Sequence, residues 1–71
     1  MRFKKIDENE HGPIVNVINE GGFVVGTISK WHGLFIAKDW EGSELSRPFR
    51  ARKRAAEHLV EDFDFKARGG R

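Results

Sequence analysis

The 71-residue chain has no cysteine and no tyrosine, and only two prolines and one methionine. Without a thiol it can build no disulfide framework, no thiolate metal site and no cysteine nucleophile, so nothing in it calls for an oxidising compartment. Its apolar runs fall far short of the ~20 residues that a membrane-spanning helix needs. The opening MRFKKIDENE turns charged where a secretory leader would turn apolar. The expectation is a soluble, cytoplasmic protein that meets no membrane. Size is scarce too: a chain this short is about half the commonest domain length, which leaves room for one module. A hydrophobic fraction of 38%, with six Phe and two Trp, supplies one modest core. A fold of this size typically retains roughly 3–5 kcal/mol of stability.

The formal net charge is only +2, but the charges are segregated. Residues 1–46 carry five cations against seven carboxylates, and residues 47–71 carry eight against four. Arg47, Arg50, Arg52, Lys53 and Arg54 all fall within RPFRARKR, the one dense basic block. Such a block is a candidate phosphate-facing patch.

Residues 1–13 are polar, end at Gly12-Pro13 and read as an arm with room for an extra strand around Phe3 to Ile6. The β-branched segment from Ile14 and the segment Phe23 to Ile28, separated by Glu20-Gly21-Gly22, read as a hairpin. Trp31-His32-Gly33 supplies the next turn, and Leu34 to Trp40 a third strand. Strands joined by such short turns form an antiparallel meander, because parallel neighbours need long crossovers. After Pro48 the period changes. Ala55, Ala56, Leu59, Val60 and Phe63 form the apolar stripe of a helix expected from about Arg50 to Asp62. The expected fold is α+β, a three-stranded antiparallel β-meander packed on one C-terminal α-helix, in one domain over residues 14–65 with a flexible basic tail over 66–71. Phe35 and Ala37 share one face of the third strand, while Leu34, Ile36 and Trp40 share the other. Either the arm covers that second face or the face binds something.

The basic block lies at the unfavourable end of the helix. A helix N-terminus acts as a partial positive charge and favours Asp or Glu, yet Arg50, Arg52, Lys53 and Arg54 crowd it, while Glu61 and Asp62 sit near the other end. Each misplaced exposed charge costs up to ~1 kcal/mol. A phosphate backbone docked there would turn the cost into a gain. The competing reading is a solvated face, partly offset by Lys53 and Arg54 beside Glu57 at helical spacing. A second feature is aromatic: Phe23, Trp31 and Trp40 alternate with Lys30, His32 and Lys38. Such aromatics either stack on bases and fill a partner's pocket or cap the edges of a small core. Catalytic signals are lacking. His11, His32 and His58 show no metal-ligand spacing, and Ser29, His32 and Asp39 come with no nucleophile elbow or oxyanion hole. The chain reads as a non-enzyme with no cofactor, no metal and no small-molecule substrate.

The order strand, strand, strand, helix, with Phe49-Arg50-Ala51-Arg52-Lys53-Arg54-Ala55-Ala56 opening the helix, resembles the arm-binding domains of tyrosine-type phage and transposon integrases and the related AP2-like DNA-binding modules. The resemblance covers roughly Gly21 to Phe63. Phe49 matches the family's buried Phe, Arg52 its basic position and Ala55 its packed Ala, and Phe35 stands where a sheet aromatic is common. Ala51 departs from the pattern by replacing a capping Thr, and Trp31 precedes Gly33 where the family's aromatic follows its Gly. In that family the sheet enters the DNA major groove, which groove dimensions permit. The resemblance therefore implies Lys30, Trp31, His32 and Lys38 as groove-facing and the Arg50 to Arg54 block on backbone phosphate, with Arg47 in the same basic run. Asp39, Glu41 and Glu44 flank that sheet and oppose phosphate. Two functions follow as expectations: a DNA-binding module of the kind phage and mobile elements encode, or a phage-type inhibitor or adaptor that presents an aromatic sheet face to a host protein.

Overall fold

Four segments take up strand structure in the computed structural model, which describes residues 1–45 and 47–69. These are β1 (Arg2–Asn9), β2 (Gly12–Ile18), β3 (Val24–Trp31) and β4 (Leu34–Asp39), and they precede one helix, α1 (Arg52–Ala67). The strands form a single antiparallel sheet in the order β1-β2-β3-β4. The α+β meander with a C-terminal helix is as expected, but it has four strands rather than three. The polar arm, which left room for an extra strand around Phe3 to Ile6, forms that strand over Arg2–Asn9. All eight residues of β1 are exposed, so it forms by backbone pairing with β2 and leaves no burial pattern in the sequence to read. The turn between β3 and β4 is His32-Gly33, with φ of 49° and 79°; positive φ at both central residues is the geometry that matches the twist of a tight hairpin.

Cross-strand partners share a face of a sheet. On one face Val15, Ile28 and Ala37 stand in a row, and Val17, Gly26 and Asp39 in the next. The helix lays Ala55, Ala56 and Leu59 over these rows, and together with the two valines, Val25, Ile28 and Ala37 they make the core. A shift in pairing between Val17 and Ile18 leaves Val25 as an extra residue in β3, and both Val25 and Gly26 are buried.

The outer edge of β4 is covered by the chain that follows it. Phe35 N donates to Phe49 O at 2.7 Å, Phe49 N donates to Phe35 O at 2.8 Å, and Leu45 N donates to Ala37 O at 2.9 Å. This extended segment delivers the basic block to the start of α1. Because Phe49 stays extended in that pairing, the helix begins at Arg52 rather than at Arg50. It also runs past Asp62 to Ala67. Lys66, which by sequence belongs to a flexible tail, sits in the last helical turn with Nζ 3.0 Å from Asp39 Oδ2 and 3.2 Å from Asp62 Oδ2. The last two residues of the expected tail, Gly70 and Arg71, lie outside the described residues. Among those described, no helix is long and apolar enough to cross a membrane.

Candidate nucleic-acid interface

Arg47, Arg50, Arg54 and His58 come together. With Pro48, Phe49 and Ala51 they line an open groove of about 560 Å³ at the N-terminus of α1; the adjoining groove shares Arg47, Phe49 and His58 and is lined also by Glu61 and Asp62. Arg54 and His58 are one turn apart on the helix, and the His58 ring lies against Phe49 with centroids 4.9 Å apart. Ala51, the N-cap residue, is extended at φ −132° and ψ 138° and has no side-chain oxygen to accept from the first-turn amides; no acid stands in that turn. The groove therefore combines cationic side chains with free backbone N–H groups, an arrangement suited to an anion. The offsetting pairs expected from spacing do not form: among the described residues, no salt bridge involves Arg47, Arg50, Arg52, Lys53 or Arg54. Glu57 instead lines a separate groove with Glu61 and Asp64.

Arg52 departs from its neighbours. Its guanidinium lies 5.6 Å from the Phe3 ring centroid and 5.9 Å from that of Phe35, so it stacks between β1 and β4. Interactions of this kind contribute about 0.5–2 kcal/mol. Arg52, expected on phosphate, also packs against the polar arm strand through Phe3. Lys53 is exposed.

Of the four groove-facing residues implied by resemblance, Lys30, Trp31 and Lys38 line one open groove with Asn9 and Glu44, but they come to it from different faces of the sheet. Lys38 pairs with Thr27 and Trp31 pairs with Leu34, and both stand on the outer face, opposite the helix. Lys30 pairs with Phe35 and sits on the helix side with Nζ 5.8 Å from the Phe35 ring. Strand alternation forces this, since adjacent residues cannot share a face. His32 is in the hairpin turn, edge-on to Trp31 at 4.3 Å and 5.2 Å from His11. Two of the three scattered histidines thus meet, and among the described residues no third metal-ligating side chain joins them.

The outer face remains open, because the arm extends the sheet sideways instead of covering it. Across it runs a polar row that no local pattern announced: Lys4 pairs with Asn16, Asn16 with Thr27, and Thr27 with Lys38. Arg2 stands beside Ile18 on the same face. Of the three acids expected to repel phosphate, Asp39 faces the other way and is 7% exposed. Its Oδ1 accepts from the Glu41 and Ser43 amides at 3.0 and 2.9 Å. The Lys66 ammonium on Oδ2, with these amides, holds its carboxyl below the usual carboxylate range against the opposing effect of burial. Glu44 pairs with Lys38 at the sheet edge, and Glu41 is exposed. Set against protein-family models, curated proteins and solved structures, the chain finds no match.

Proposed function

We propose that this protein is a small non-catalytic DNA-binding module that holds the phosphate backbone at the start of α1 and offers the outer sheet face to a groove. The carrying observation is the open groove of Arg47, Arg50, Arg54 and His58 at the helix start, where among the described residues no salt bridge engages the arginines; Glu61 and Asp62 line the adjoining groove, which shares Arg47 and His58. An uncapped helix start with unpaired cations is held at a cost in the free protein that a bound anion removes. The sheet supports the same reading. Strands β2 to β4 are about 10 Å across, close to the ~12 Å width of the major groove. Their outer face carries Asn16, Thr27 and Lys38, side chains that hydrogen-bond base edges. The basic segment flanks the β4 edge through the Phe35–Phe49 pairing. The resemblance to integrase arm-binding modules points the same way.

Fluorescence anisotropy with a labelled duplex at two salt concentrations tests this. Affinity is expected to fall steeply with salt, and the combined Arg47→Ala, Arg50→Ala and Arg54→Ala variant should lower the log–log slope by about 0.9 for each phosphate no longer neutralised. Arg52 stays unchanged in that variant because it packs against Phe3 and Phe35. Folded protein that fails to bind at low salt sinks the proposal. A second reading, a module that docks on a host protein, is favoured by the exposure of Trp31 and Trp40, 52% and 57%. Binding through those rings would depend weakly on salt and be abolished in Trp31→Ala.

A further inference from the structure

The sheet has one open edge. β4 is covered by Ser43, Glu44, Leu45 and Phe49, whereas nothing described pairs with the outer side of β1, and an unpaired edge presents a row of amide and carbonyl groups to another strand. Its order of residues is RFKKIDEN, with two lysines before Ile6 and two acids after it. From this arrangement we propose that β1 pairs antiparallel with β1 of a second copy of the chain, joining two sheets into one of eight strands about a two-fold axis.

Facing decides the register. Lys4 is on the outer face with Asn16, and Phe3 on the helix side with Val17. An unbulged strand would put Asp7 on the helix side. The irregularity between Lys5 and Asp7 returns Asp7 to the outer face opposite Ile14, and sends Glu8 to the helix side opposite Pro13. A two-fold axis perpendicular to the sheet preserves faces, so residues opposite one another must share one. The register that sets Lys4 opposite the second copy's Asp7 meets this condition on its outer sides, with Phe3 opposite Glu8 and Arg2 opposite Asn9, and places Lys5 opposite Ile6 at the irregularity. It forms two ion pairs related by symmetry, on a face where opposite charges directly across contribute and like charges cost. A parallel arrangement would set Lys4 against Lys4, so the same charge order that admits a pair resists fibres. Edge lysines ordinarily discourage strand addition; here each outer-face lysine meets an acid. The interface is small, which places the dimer among weak, concentration-dependent associations.

Sedimentation equilibrium on the free protein, from micromolar to millimolar concentration and without nucleic acid, tests this independently of DNA binding. The parent is expected to shift reversibly from monomer to dimer mass. Lys4→Asp alone and Asp7→Lys alone each turn both attractions into repulsions and should raise the dissociation constant about tenfold or more. Mixing the two single variants should restore association as a mixed dimer, because each then meets its opposite charge. Circular dichroism checks that both variants fold. A parent that stays monomeric throughout, a dimer indifferent to either exchange, or single variants that do not rescue one another would each overturn the proposal.

Discussion

Gly26 is a point of close approach between sheet and helix. A Cβ placed there would collide with the Lys38 carbonyl oxygen and lie 2.8 Å from Leu59 Cδ2, and backbone cannot yield as a flexible side chain can. The Gly26→Ala variant is expected to lose about 1–3 kcal/mol through overpacking, seen as a lower melting temperature with the helix content otherwise retained. An unchanged melting temperature would show that the seam is looser than its burial implies. A glycine within a strand signals close approach of another backbone or side chain, but the sequence around Gly26 names no partner for it. Arg52 is a second case. Within a run of five cations it looks like its neighbours, and only Phe3 and Phe35 on distant strands set it apart.

For the helix, the informative residue is Ala51. Its extended conformation is the one a capping side chain needs, yet it has no side-chain oxygen. Ala51→Ser should stabilise the protein by about 1 kcal/mol, which for a domain this small raises the melting temperature by roughly 4–8 °C. Ala51→Asp should stabilise comparably while adding a carboxylate to the wall of the basic groove, and so weaken duplex binding where the Ser variant leaves it nearly intact. Melting and anisotropy measured on both variants separate helix capping from ligand binding. If the Asp variant binds as the parent does, the groove is not where phosphate docks. The apolar stripe was legible because helical periodicity is local, and Ala55, Ala56 and Leu59 are the buried residues it named. The helix ends were less so, since Phe49 pairing with β4 and Lys66 pairing with Asp39 are interactions the stripe does not encode.

At the scale of the whole molecule, the ion pair of Asp39 with Lys66 fastens the end of the helix to the end of β4, and it gives stability a defined pH window. The depressed Asp39 contributes stability that is present above its ordinary 3.8 and lost as pH falls through its lower folded value. Lys66, raised by hydrogen bonds from its ammonium to Asp39 and Asp62, contributes stability that is present below its ordinary 10.5 and lost as pH rises through its higher folded value. The melting-temperature gap between the parent and Lys66→Met should therefore be widest between those limits and close on both sides of them. A gap that stays constant into acid would mean that the pair does not hold the helix end. Pairing across 27 positions of sequence has no local signature, which is why Lys66 reads from sequence as tail.

Charge segregation, the helical stripe and the hairpin turns are properties of neighbouring residues, so the chain alone determined that a helix with a basic start would follow an antiparallel sheet. Only the tertiary structure decided that the strand for which the polar arm left room runs from Arg2 to Asn9 at the sheet edge, that Lys30 is on the opposite face of its strand from Lys38's, and that Lys4, Asn16, Thr27 and Lys38 stand in one row. Those outcomes depend on register between strands, where a shift of one residue moves every side chain to the opposite face, and register is settled by pairing across the whole sheet.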